Sequence, residues 1–243
     1  MNQTEAKERL ANLGAVITND HFVYTSGRHG SAYVAKDTLS PHPNEIRLFG
    51  RAIAENFLQS GIEVVAGPAV ASIPLVQWTA HWLGELGGRE ILAVYAEQRE
   101  EVVCAALDEP LKIGANITLM RGQKLIKRIS GFVLNRGYDK LVKGKRVLVV
   151  DDILTTGGSA KSVVDAVRNA GGEPVAVAAI CNRGGVTPDK VGNVQEVFAV
   201  LDVTLESWAA DANEPCPLCA AGKPINTTFG HGKQFLEALA ARK

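Results

Sequence analysis

The chain has 243 residues, 46% of them apolar and 21% charged, and its 26 Lys and Arg are balanced by 26 Asp and Glu. That composition excludes disorder and collagen-like architecture, and a net charge of zero argues against broad electrostatic binding of duplex DNA or an anionic membrane. Four cysteines (Cys104, Cys181, Cys216, Cys219) are too few for a disulfide scaffold, and no apolar run approaches the length of about 18 residues that a spanning helix needs, so the expectation is a soluble, cytoplasmic protein acting on small molecules.

In chain order, Met1 to Leu13 reads as a helix carrying Glu5, Lys7, Glu8 and Arg9, without the apolar stretch of an export signal. It opens a segment, 1–42, whose Gly/Ser/Thr-rich part HFVYTSGRHGSAY (21–33) can cap the open end of a sheet. From Glu63 onward, short apolar runs alternate with helical stretches. Strands are expected at Val64 to Gly67, Ile91 to Tyr95, Arg146 to Val150, Pro174 to Ile180 and Val197 to Val200. Runs that are continuously apolar, not alternating, indicate strands covered on both faces. Helices are expected at Ile73 to Leu86 and at Ser159 to Ala170, where Val163, Val164, Val167 and Ala170 recur at helical spacing before Gly171 and Gly172 stop the helix. The pattern predicts an α/β fold with a parallel sheet. Residues 98–131 form a long connection with Pro110, Gly114 and Gly122 and the cations Arg99, Lys112, Arg121, Lys124, Lys127 and Arg128, a length that signals a functional loop or an added arm. Residues 210–243 form a C-terminal extension, and the whole reads as one domain.

The chemistry concentrates in RVLVVDDILTTGGSAKSVVDAVRNAGG (146–172), a buried strand, two carboxylates, a Thr/Gly/Ser turn and a helix. Ligands of open α/β sheets bind at the carboxyl ends of strands, where Asp151 and Asp152 fall. Carboxylates there accept hydrogen bonds from a sugar diol. Residues 155–159 offer hydroxyls and backbone N–H groups at a helix N-terminus, which favours a phosphate monoester. Diol and phosphate together describe a ribose 5-phosphate. The GK[ST] ending of a Walker loop is absent.

VLVVDDILTTGGS resembles the phosphoribosyl-diphosphate (PRPP) signature of type I phosphoribosyltransferases. HFVYTSGRHGSAY is similar to the base-binding segment of the orotate phosphoribosyltransferase branch, and GPAVASIPL (67–75) to its diphosphate loop. AICNRGG, LDVTLESW and CPLC are similar to one bacterial subgroup of those enzymes. The resemblance implies a Rossmann-like parallel-sheet core with a small hood built from both termini, and transfer of ribose 5-phosphate from PRPP to orotate. It implies Asp151 and Asp152 on the ribose hydroxyls, with Mg²⁺ held mainly by PRPP, Ile153 and Leu154 among the PRPP-binding residues, and Thr155, Thr156, Gly157, Gly158 and Ser159 around the 5-phosphate. Val70 and Ala71 fall in the diphosphate loop. Thr25, Ser26, Gly27 and Thr155 fall on the base, with Arg183 facing the orotate carboxylate. YAEQR (95–99) and FVLNRGYDK (132–140) resemble the flanks of a mobile catalytic loop that acts across a homodimer, which makes Arg99 and Arg136 the first candidates for its cations and Lys124, Lys127 and Arg128 the reserves.

The match has departures. Thr25 and Ala71 stand where the family often carries lysine, and the usual R-K-x-x-K-x-H run is missing. A phosphoribosyltransferase for another base, such as a purine, and a PRPP-sensing regulator without activity therefore remain alternative readings. For CPLC the sequence offers no adjacent His and only two of the four ligands of a structural zinc, so two free thiols are expected, with His29 and His231 as ordinary polar positions.

Overall fold

The computed structural model describes residues 1–24, 26–35, 38–105, 124–203, 205–211 and 213–240, with the side chains of 101–105 and 124–130 left undescribed. Thr25, and the side chains of Lys124, Lys127 and Arg128, therefore lie outside what is described, as do residues 106–123.

Helix α1 (Gln3–Asn12) leads into four two-residue strands, β1 (Val16–Ile17), β2 (Phe22–Val23), β3 (His29–Gly30) and β4 (Tyr33–Val34). Helix α2 (Pro43–Phe57), strand β5 (Val64–Pro68), helix α3 (Ile73–Gly87) and strand β6 (Leu92–Ala105) follow. Then come β7 (Lys124–Val133), α4 (Tyr138–Val142), β8 (Arg146–Leu154), α5 (Gly158–Asn169), β9 (Glu173–Asn182), a 3₁₀ turn (Pro188–Val191) and β10 (Glu196–Asp202). Strand β11 (Ser207–Trp208) and helices α6 (Pro217–Ala220) and α7 (Gly232–Ala240) complete the chain. No helix among the described residues is long and apolar enough to cross a membrane.

The central sheet has the order β10-β9-β8-β5-β6-β7. Its first five strands run parallel and β7 is antiparallel to β6. Both faces are covered, as the continuous apolar runs require. In β8, Leu148 and Val150 pack with α2 and α3, while Val147 and Val149 pack with Val163, Val164 and Val167 of α5 on the other side. The alternation that a half-exposed strand would show is hidden because both faces are buried.

Two regions depart from the expected pattern. Helix α2 precedes the alternation that the sequence shows from Glu63. Pro43 sits in its first turn, where a fixed φ and a missing N–H do no harm, and Ile46, Phe49, Ile53 and Phe57 form its buried stripe. Gly50 lets α2 approach α3, since a Cβ there would stand 2.8 Å from Trp78 Cβ. The long connection is the second: β6 runs on past Tyr95 and pairs with β7 as a hairpin, with a register shift between Arg99 and Glu100. Its charged sequence carries no buried-strand signature, because the hairpin leaves the two-sided cover of the core.

A second, three-stranded sheet, β11-β3-β2, joins the two ends of the chain: β2 and β3 come from the N-terminal segment and β11 from the C-terminal one.

Candidate active site

The site lies at the carboxyl ends of β5, β8 and β9. At the end of β8, Asp151 is 6% exposed, and its Oδ1 accepts hydrogen bonds from Ser72 Oγ (2.8 Å) and from the backbone N–H of Asp152 (2.9 Å). Burial, together with the neighbouring Asp152 charge, pushes the Asp151 carboxyl up to about 7. Asp152 is only half-buried and its Oδ1 accepts the N–H of Ile153 (2.7 Å). The pair thus offers one carboxylate held inside the edge and one facing outward.

After Leu154 the chain leaves the sheet through exposed Thr155 and Thr156 into Gly157, the N-cap of α5, at φ +78°. A Cβ on Gly157 would also press on Val191 and Val186 at 2.8 and 2.9 Å. Only glycine meets both demands. Thr156, Gly158 and Ser159 lie exposed around the first turn of α5, whose N–H groups have no intrahelical partners and carry partial positive charge. Helix α5 stops as expected: Gly172 N–H bonds Val167 O (2.9 Å) and Gly171 N–H bonds Arg168 O (2.9 Å), the two bonds of a Schellman motif. Ile153 and Leu154 turn their side chains into the packing on the two sheet faces, so at this edge they act through backbone.

The diphosphate-loop residues Val70 and Ala71 follow β5 and are exposed, Val70 at 80%. Ser72, absent from the sequence-derived set, is buried and ties this loop to Asp151. A serine at the head of α3 was the available signal, but instead of capping its helix it donates across to β8.

Beyond the end of β9, Arg183 donates its backbone N–H to Leu154 O (3.0 Å), which places it beside the Thr155 turn. Gly184 touches that turn so closely that a Cβ would overlap the Thr155 backbone. The Arg183 guanidinium lies 5.4 Å from the Tyr33 ring centroid, and its Nη1 is buried with no hydrogen-bond partner among the described residues. A cavity of about 370 Å³ opens here, lined by Tyr24, Ser26, Thr155, Thr156, Arg183 and Ser207 among others. Tyr24 donates its hydroxyl to Ala32 O (2.6 Å), and burial raises its phenol. Gly27 is exposed at φ +77° in the turn joining β2 and β3. Tyr24 and Ser207 belong to the segments HFVYTSGRHGSAY and LDVTLESW, but no local signal singles them out, because they line the cavity only through the hood.

Of the two leading loop cations, Arg136 is paired: its Nε and Nη2 donate to Glu97 Oε1 at 3.0 and 2.8 Å, across the root of the hairpin. Asn135 donates to Glu97 Oε2 (2.9 Å) and completes that knot. Arg99 is exposed on β6, opposite Gly131. The same root reaches α5, where Phe132 N–H donates to Ser162 Oγ (2.8 Å). Cys181, near the carboxyl end of β9, is fully buried and its thiol is pushed up to about 12, so it is inert at neutral pH.

A mostly parallel α/β sheet with one inner and one outward carboxylate and a Thr/Gly turn leading into a helix at one strand end has the form of a class of proteins that bind sugar phosphates at the sheet edge. A family model described as "Phosphoribosyl transferase domain" matches residues 35–214. An orotate phosphoribosyltransferase of Caldanaerobacter subterraneus is 31% identical over 210 residues, 86% of this chain and 88% of that protein. One of Chlorobium phaeobacteroides is 28% identical over 234 residues, 96% of this chain and 99% of that protein. Among solved structures, the Mycobacterium tuberculosis orotate phosphoribosyltransferase in complex with Fe(III) dicitrate shares the fold, with a TM-score of 0.55 at 24% identity over 83% of this chain and 96% of that one. The chain belongs to the phosphoribosyltransferase family and, within it, to the orotate phosphoribosyltransferases.

Proposed function

We infer that this protein transfers ribose 5-phosphate from PRPP to orotate, giving orotidine 5′-monophosphate and diphosphate, as a step of pyrimidine nucleotide formation. The observation that carries the base assignment is Arg183, whose buried Nη1 lacks a partner while its guanidinium lines a cavity beside the phosphate turn. A permanently charged guanidinium with one buried nitrogen unpartnered among the described residues suits a carboxylate ligand.

The division of labour follows from position. Asp151 and Asp152 accept the ribose hydroxyls, residues 155–159 surround the 5-phosphate, and the cavity floor at Arg183, Thr155 and Ser26 takes the base. No protein nucleophile is needed. The sugar passes through an oxocarbenium-like state as diphosphate leaves, and the chain contributes by fixing diol, phosphate and base in line. Asp151 and Asp152 are the residues beside which Mg²⁺, a hard cation that favours oxygen ligands, would sit with PRPP, and when bound it would neutralise charge on the leaving diphosphate. Val70 and Ala71 border the diphosphate, and Arg99 and Arg136 supply cations from the hairpin root; Arg136 must then leave Glu97 in the working complex. Action of the hairpin across a subunit boundary makes the working form a cytoplasmic homodimer.

The test mixes purified protein with PRPP, Mg²⁺ and orotate and follows loss of orotate absorbance, with diphosphate release measured for adenine, guanine, hypoxanthine, xanthine and uracil. Turnover with orotate alone is expected. Turnover on a purine discards the orotate reading, and PRPP binding without turnover on any base discards catalysis. Asp152→Ala should abolish transfer and leave the fold intact. Arg183→Ala should raise the KM for orotate about 10–100-fold, the loss of one charged hydrogen-bonded pair, with little change in the KM for PRPP.

A further inference from the structure

We propose that His21, His29, Cys216 and Cys219 form a structural zinc site that clamps the N-terminal segment to the C-terminal extension. The sequence offers the CxxC no neighbouring histidine; the fold supplies two, from about 190 residues away. One ligand atom from each residue lies within 4.8 Å of every other. His21 Nε2 is 3.7 Å from both Cys216 Sγ and Cys219 Sγ, and His29 Nδ1 is 3.4 Å from Cys219 Sγ. A tetrahedral zinc with Zn–N near 2.1 Å and Zn–S near 2.3 Å sets its N···S edges at about 3.6 Å. The three N···S separations, 3.4 to 3.7 Å, lie close to that edge. The His21 Nε2 to His29 Nδ1 separation of 2.9 Å has only to open by about half an ångström to reach the N···N edge of the same tetrahedron.

Hydrogen bonding alone does not account for the cluster. His21 Nδ1 lies 2.8 Å from the carbonyl of Lys223, which can only accept, so that nitrogen holds the ring proton and Nε2 presents a bare lone pair. One lone pair faces three neighbours, His29 Nδ1 and two sulfurs. A cation at the centre satisfies all four ligand atoms together, with the Lys223 carbonyl orienting His21 from behind as metal-bound imidazoles require. His29 sits in the middle of the hood sheet, paired with both Val23 and Trp208, and its Nε2 has no hydrogen-bond partner among the described residues, so the cluster is where this ring finds its polar contacts. His21, His29 and Cys216 are 1–3% exposed, while Cys219 stands at the rim and leaves a path for entry. Cys216 caps the short helix α6, so Cys216 and Cys219 lie one turn apart and face the same way. Two imidazoles and two thiolates in a closed tetrahedron select zinc among the common cellular metals, and four protein ligands leave no position for catalysis.

The test is elemental analysis of the untagged protein, purified in reductant and dialysed, with Cys216→Ser, Cys219→Ser and, as control, Cys181→Ser. About one zinc per chain is expected in the wild type and in Cys181→Ser, with the other two variants losing most of it. Cobalt exchanged into the wild type should give thiolate-to-metal charge transfer and the strong visible bands of a tetrahedral ion, both lost in Cys219→Ser; this reading needs no stable apo form. Wild-type protein with less than about a tenth of an equivalent of zinc, together with freely titrating thiols or a Cys216–Cys219 disulfide, overturns the proposal. Neither outcome depends on which base the enzyme uses.

Discussion

Asp151 combines two properties that oppose one another in the unliganded protein. It is placed to bind, yet it is nearly dry, and its carboxyl is raised to about 7 by burial and by Asp152. The folded state therefore holds this proton more tightly than the unfolded chain does. Its contribution to stability is complete below the ordinary carboxyl range near 4 and is lost as pH rises through that range toward 7, at on the order of 1 kcal/mol per pH unit. Asp151→Asn keeps acceptors for Ser72 Oγ and the Asp152 N–H and removes the charge. Thermal unfolding should then show the variant more stable than the parent at pH 8 and close to it at pH 4, while transfer activity is lost. A constant stability difference across that range would mean that Asp151 is ionised in the fold throughout. In the proposed function, ribose hydroxyls and a cation arriving at Asp151 would relieve this electrostatic strain.

At the scale of elements, the β8–turn–α5 unit carries the proposed phosphate site, and Gly157 is its pivot. Substitution by alanine meets a left-handed backbone and two valine methyl groups at once. Gly157→Ala should lower stability by about 2–4 kcal/mol, the sum of a non-glycine residue at positive φ and local overpacking, and should weaken PRPP binding because the turn can no longer present its N–H groups; denaturant unfolding and PRPP titration check the two parts. This unit was legible in the sequence because all its signals are local: an apolar strand, an acid pair, a turn and a periodic helix. The other core strands and α3 were legible for the same reason. Helix α2 was less so: Ile46, Phe49, Ile53 and Phe57 recur at helical spacing, but its start at Pro43 carries no side-chain cap and it lies ahead of the strand–helix alternation. The hairpin of β6 and β7 escaped because a strand pairing outside the core needs no apolar run. Ser72 belonged to a quoted segment, but its bond to Asp151 spans 79 residues and has no local signature.

Over the whole molecule, the cavity proposed for the base is bordered by contacts between the two ends of the chain, which no local pattern foretells. Arg28 donates to both carboxylate oxygens of Glu214 (2.9 and 2.7 Å) and to the side chain and backbone of Ser207, which itself lines the cavity. Asn226 bonds Asp20 (2.6 Å), and Trp208 pairs with His29, so the hood closes on the core as a unit stitched across some 180 residues. In the proposed reading PRPP meets β5, β8 and α5, elements that do not depend on this stitching, and the turn at Thr155 and Thr156 is the wall that both substrates share. Glu214→Ala cuts the carboxylate from Arg28 and from the Ala209 N–H (3.1 Å) while leaving the core untouched. Steady-state kinetics with each substrate varied in turn should show the KM for the base rising severalfold and the KM for PRPP unchanged, with hydrogen exchange quickening at 205–211. A rise in the PRPP constant of the same size would mean that hood and core move as one body, and that the base wall cannot be loosened without disturbing the phosphate turn.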